Sequence, residues 1–264
     1  MGQWQWRRWQ GLSYLTCDLL EGWSHGFFTR EFAPRSPEEL TALLAPGARP
    51  LRVKQVHGDR VLRSGEIHGG AVLAEASTGA SEQSTYPQAD GTIADGTDQV
   101  AWVCTADCTP ALIGDRRTGR VAAVHAGWRG TAAAVVPKAI ARFQELGSQL
   151  EDVVVALGPA ISGDRYQVDH PVAAQTLAAL DLDLDGAAAL AEPPILPDPE
   201  PGKCRLDVRR VNVLQLERLG IGRDRVAVAP HCTHSDPDHF FSYRRDGTKT
   251  VQWSGIASAI AQTP

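Results

Sequence analysis

The chain has 264 residues, 43% hydrophobic and 22% charged, which is ordinary soluble composition with ample length for a packed core. A formal net charge of −5 argues against the basic face that a nucleic-acid binder carries. No apolar run reaches the roughly 20 residues that span a bilayer, and the start "MGQWQWRRWQGL" lacks the apolar centre of a secretory signal, so no membrane or nucleic-acid partner is expected.

Trp4 and Trp6 alternate with polar residues, which predicts an edge strand. "LRVKQVHGD" (51–59) alternates too, with Leu51, Val53, Gln55 and His57 on one face of a predicted strand. Residues 64–89 are rich in Gly, Ser and Ala and read as a surface loop. "QVAWVCTADC" (99–108) is apolar enough for a strand buried on both faces, and "GRVAAVHAGWRG" (119–130) runs from a strand into a glycine turn. A helix is predicted over 131–147, with Thr131 as N-cap and Gly147 as its stop; Pro137 demands a kink or a later start. "DVVVALGPAI" (152–161) is a further strand. Helices follow at 171–182 and 207–220, with the proline-rich stretch 191–203 between them as a loop. "DRVAVAPHC" (224–232) and "FFSYRR" (240–245) complete the strands. The mixture indicates one layered α+β domain over residues 1–264.

Five cysteines (17, 104, 108, 204 and 232) are odd in number and scattered, which favours a reducing cytoplasm over a disulfide framework. Cys104 and Cys108 share a face if one strand carries both, but roughly 13 Å then separates them, too far for a disulfide. Cys104 therefore reads as core.

His57, Cys108 and His125 each fall where a strand run meets a turn. Donors at strand ends facing one rim can converge, and two imidazoles with a thiolate suit zinc with a fourth position open. Spacing alone leaves a second reading, in which each His is satisfied separately and Cys108 is a small core residue. In "HAGWRGTAAA", glycines and Arg129 precede a helix start, an arrangement that favours an anion or is simply a glycine turn. "DLDLDGAAALAE" (181–192) fits the EF-hand pattern, yet Pro193 and Pro194 forbid the exiting helix, so it reads as an acidic helix end. "HCTHSDPDH" (231–239) leaves open a second metal site, or His234 or Cys232 lining a pocket.

"QVHG" (55–58), "ADG" (89–91), "TADC" (105–108), "VHAGWRGT" (124–131), "GPAI" (158–161) and "FFSYRRDG" (240–247) resemble the YfiH or laccase-domain family, also described as multicopper polyphenol oxidases or peptidoglycan-editing factors. The resemblance implies an α/β/β/α layered sandwich with mixed sheets and a zinc site whose ligands match His57, Cys108 and His125. It implies phosphorolysis of adenosine, inosine, guanosine and methylthioadenosine, with adenosine deamination. The expected partners are purine nucleosides and phosphate, and a homodimer is compatible with them. Arg129, Arg244, Arg30 and Asp90 are the candidate substrate and phosphate residues. Copper-dependent phenol oxidation and cell-wall precursor editing are the alternatives. Copper competes well for such donors, but the chain has eight histidines, no H-x-H pair and no methionine beyond Met1. The chain departs from relatives in a shortened segment after Arg30, and His234 stands where a Tyr is frequent.

Overall fold

The structure, a computed structural model, describes residues 2–71 and 86–259. Two six-stranded sheets pack face to face. The first runs β1 (Trp4–Trp9), β2 (Leu12–Cys17), β3 (His25–Phe28), β15 (Gln252–Ala257), β7 (Gln99–Thr105) and β4 (Arg49–Leu51). The second runs β14 (Val226–Val228), β10 (Val153–Leu157), β8 (Thr109–Asp115), β9 (Val121–Ala126), β6 (Gly91–Ala94) and β5 (Val61–Arg63). Three pairs are parallel, β4–β7, β5–β6 and β10–β14, and the others antiparallel, so both sheets are mixed.

Alternation along the central strands builds three apolar layers. Val103, Leu112, Ala123 and Val154 point between the sheets, where Phe27 and Ile256 meet them. Their neighbours Ile113, Val124 and Val155 point outward, against α4 (Val135–Glu145) and α7 (Val208–Arg218). On the far side, Val100 and Trp102 are covered by α1 (Pro37–Leu44), which supplies Leu40 and Leu44. The order helix, sheet, sheet, helix is the layered α+β sandwich expected. Strands buried on both faces lose the period-two signal and read as continuous apolar runs.

A third sheet, β11 (Gln167–Asp169), β13 (Lys203–Leu206) and β12 (Ile195–Pro197), packs with α5 (His170–Ala178). Part of the expected 191–203 loop is thus strand; prolines hide a three-residue edge strand with Pro197 at its end. The loop expected over 64–89 opens with α2 (Ser64–Ala71), and its residues 72–85 lie outside the described residues. The edge strand around Trp4 and Trp6 is present as β1.

The helix expected over 131–147 is two helices. α3 (Trp128–Ala132) starts early at Gly127, and left-handed Ala134 (φ 57) breaks the chain before α4. Pro137 sits in the first turn of α4, where no intrahelical N–H is needed. Thr131 is not a cap; its hydroxyl accepts from Asn212 Nδ2 in the core. "FFSYRR" is not a strand either: Ser242 accepts from Arg245 N and caps the short α8 (Tyr243–Asp246), which left-handed Gly247 ends. The strand expected over 51–59 stops at Leu51, because side chains take over its backbone bonds. Gln55 bonds both backbone groups of Cys104 at 2.8 Å, and Asp90 takes the next three N–H groups.

The connection from β4 to β5 and the turn from β7 to β8 both pass from the first sheet to the second. His57 lies on one and Cys108 on the other. Among the described residues, no helix is long and apolar enough to cross a membrane.

Candidate metal centre

His57, Cys108 and His125 offer one ligand atom each, and these atoms lie within 4.8 Å of one another. They form the one such group of three or more among the described residues. His125 sits near the end of β9 and is almost fully buried, whereas His57 is exposed at the cavity mouth. Cys108 is not on the strand with Cys104, as expected, but beyond it in the β7–β8 turn. Cys104 lines the same cavity and is not closed core.

Asp90 organises the group. It is fully buried and accepts from the N–H groups of Val56 (3.3 Å), His57 (2.9 Å) and Gly58 (2.6 Å). Those bonds hold His57 at φ 60, a left-handed conformation that a residue with a Cβ rarely takes. The same carboxylate meets His125 Nδ1 at 2.8 Å, which fixes a proton there and frees Nε2 as a donor. Burial would push the Asp90 carboxyl up, but the bonds from His125, Gly58 and Val56 outweigh it and hold it below its ordinary value. Asp90 does not line the cavity. The expected substrate contact is corrected to a support for the ligands, because its oxygens are spent on buried donors.

The charges favour a cation. Burial alone would push the Cys108 thiol up; the His125 charge and hydrogen bonds from His125 and His57 outweigh it and pull it down to about 6. Burial would push His125 down, yet the Cys108 thiolate and Asp90 raise it to about 9. Cys104 lacks such partners, and burial pushes it up to about 12. In chelator-treated protein, iodoacetamide is therefore expected to label Cys108 and spare Cys104 at pH 7. The rate should fall as pH drops through about 6, where the Cys108 thiolate takes up its proton. A midpoint near the ordinary thiol value of 9.0, read by peptide mapping, overturns the pairing.

The residues fit a zinc ion. Two imidazoles and a thiolate are its usual donors, the second histidine nitrogen is held by a carboxylate, and three donors leave a position open. Gly127 completes the fit: a Cβ there would come within 2.9 Å of Cys108 Sγ and 3.1 Å of the His57 ring.

The group faces a cavity of about 570 Å³. Trp128, Tyr166 and Tyr243 give it aromatic walls, and Arg129, Arg244 and Lys249 give it positive charge. Arg129 lies 4.3 Å over the Trp128 ring and Arg244 lies 4.7 Å over Tyr166, with Nη1 of Arg244 donating to Gln167 O at 2.8 Å. None of the three cations pairs with a carboxylate among the described residues. α3 is a single short turn, so these side chains, not a helix dipole, carry the field.

Arg30 does not join them. Its guanidinium donates to Pro237 O at 2.6 Å and lies over Phe241, away from the cavity lining. Cys232 and His234 also lie outside the lining; Cys232 accepts from Ser162. His231 meets Trp6 edge-on and His239 lies tilted against it. The acids of the EF-hand pattern serve locally: Asp183 caps α6 (Leu184–Ala188), and Glu192 pairs with Arg223. The shortened segment after Arg30 forms α1, capped by Ser36 and Glu39, and contributes nothing to the cavity wall. Tyr166 and Lys249 escaped sequence reasoning because no motif marks them.

The layered α+β fold sets one His-Cys-His group that could hold a metal ion in a cationic cavity, and the fold is that of YfiH and YlmD. YlmD from Geobacillus stearothermophilus superposes with a TM-score of 0.76 at 26% identity, covering 95% of this chain and 98% of that one. YfiH from Bacillus licheniformis shares the fold, with a TM-score of 0.73 at 24% identity over 95% and 98% of the two chains. The chain belongs to the family described as multi-copper polyphenol oxidoreductase laccase, which matches residues 36–259. A protein from Synechocystis sp. named purine nucleoside phosphorylase is 52% identical over 97% of both chains. A Mycobacterium bovis protein of the same name is 35% identical over 78% of this chain and 70% of its own.

Proposed function

We propose that this chain is a zinc-dependent purine nucleoside phosphorylase acting on adenosine, inosine, guanosine and methylthioadenosine, and that it also deaminates adenosine. The observation that carries this reading is the set of three cations without carboxylate partners, Arg129, Arg244 and Lys249, around the metal-ligand group in a chain of net negative charge. A relative bearing the phosphorylase name, matched over 97% of both chains, supports it.

His57, Cys108 and His125 hold the ion. When bound, zinc supplies a Lewis acid with one coordination position left for a ligand. Arg129 and Arg244 offer planar donors for the phosphate oxygens, and Lys249 adds a mobile charge at the rim. Trp128, Tyr166 and Tyr243 present flat apolar faces suited to a purine. Phosphorolysis joins phosphate to C1′ of the ribose as the bond to the base nitrogen breaks, so the cations must hold the nucleophile near the sugar. Deamination exchanges the 6-amino group of adenosine for oxygen from water and uses the same pocket.

The test is phosphate-dependent release of hypoxanthine from inosine, with metal analysis of protein purified without added copper. Arg129→Ala is expected to raise the KM for phosphate about tenfold or more, with a smaller change in the KM for inosine. An unchanged phosphate KM removes Arg129 from the role. Zinc near one per chain with phosphorolysis supports the reading; copper with phenol turnover and no phosphorolysis replaces it with the oxidase alternative.

A further inference from the structure

The turn that delivers Cys108 carries a carboxylate for which metal binding has no use. Asp107 sits at φ 85, in the left-handed region that disfavours side-chain residues, and it is 8% exposed. Strain of this kind persists only where the surroundings over-determine the conformation. Its Oδ1 accepts from Thr233 Oγ1 at 2.7 Å, and its Oδ2 accepts from the backbone N–H of Arg244 at 2.7 Å. Its carbonyl accepts from Ile161 N at 3.0 Å. Thr233 is fully buried and donates its own N–H to Ala160 O. Arg245, the next residue in α8, donates to the carbonyls of Thr233, His234 and Phe240. One side chain thus ties the metal-ligand turn to the start of the short helix that bears Tyr243 and Arg244.

A direct chemical role fits poorly. Both oxygens are engaged by donors, one of them a backbone N–H that cannot reverse. Asp107 is also the one carboxylate lining a cavity whose other charged side chains at its rim are cations, and a free negative charge there repels phosphate. The cost is understandable if the carboxylate is there for its two acceptors.

We infer that Asp107 is a positioning residue that locks the Cys108 turn to α8 and so sets Arg244 at the distance from the metal centre at which it meets phosphate. This rests on the phosphorylase reading for the identity of the anion. The geometry also makes asparagine a true stand-in: its Oδ1 can accept from Arg244 N while its amide donates to Thr233 Oγ1, so both ties survive. Alanine removes both.

The experiment compares Asp107→Ala and Asp107→Asn with the parent, all zinc-loaded. It reads zinc content, KM for inosine, KM for phosphate, kcat, and the Kd of inorganic phosphate by calorimetric titration without nucleoside. Alanine is expected to raise the KM and Kd for phosphate about tenfold, with zinc content and inosine KM within about twofold of the parent. Asparagine should restore both phosphate constants to within about twofold of the parent. A loss of kcat of about a hundredfold in the asparagine variant makes Asp107 a proton carrier and overturns the inference. Unchanged phosphate binding in the alanine variant also overturns it, as does a joint loss of zinc and of affinity for both substrates. A parent that binds phosphate but releases no base sinks the phosphorylase reading alone, since the titration still decides the role of Asp107; a parent that binds no phosphate overturns both.

Discussion

Cys108→Ser is expected to drop bound zinc from about one per chain to less than a tenth of that, and with it both phosphorolysis and deamination by about a thousandfold or more. Cys108 supplies the one thiolate of the three donors, and it is the group whose negative charge the two histidines are arranged around. A serine hydroxyl keeps the size but remains protonated at neutral pH, so the ion loses an anionic ligand as well as a soft one. Atomic absorption on dialysed protein alongside initial rates checks the claim. A serine variant that keeps both its metal and its rate removes Cys108 from the ligand set.

Asp90→Asn should also be damaging, although Asp90 does not line the cavity. Three backbone N–H groups and His125 Nδ1 converge on its two oxygens. An amide offers one oxygen and turns an N–H group toward these donors at a position that is itself fully buried. The expected cost is about 3 kcal/mol of stability and a 10- to 100-fold loss of metal affinity, the latter because His125 loses its fixed tautomer. The pH dependence follows in sign. The folded carboxyl titrates below its ordinary value of 3.8, so its stabilisation is fully present above that value and is lost as pH falls through the folded value. Acid unfolding of the asparagine variant should lack this component. Denaturant midpoints followed from about pH 5 downward through the region below 3.8 measure it; identical acid limbs in the two proteins contradict the role.

The convergence of His57, Cys108 and His125 was legible because each falls where an apolar run meets a turn, and the resemblance to the family favoured the metal reading over the alternative that spacing left open. Helices α5 and α7 were legible through Pro171 near the start of one, and Asp207 and Gly220 at the two ends of the other. The errors share a cause. Wherever a side chain replaces a backbone partner, periodicity misleads: Gln55 pairs with Cys104 like a strand neighbour, and Ser242 turns an apolar, strand-like run into a capped helix. At Asp90, "ADG" shows an acid near the site without showing that four donors already surround it. For Arg30, the carbonyl partner at Pro237 lies too far along the chain for sequence to reveal.

The passage of both His57 and Cys108 across from one sheet to the other has a consequence for the chain as a polymer. An ion gripping residues 57, 108 and 125 would close two consecutive loops at once and pin the seam where the sheets meet. Like a covalent crosslink, it removes freedom from the unfolded ensemble, more so because the loops are long. Chelation is therefore expected to lower the denaturant midpoint as well as the rate, since the same three side chains bear on both the chemistry and the fold.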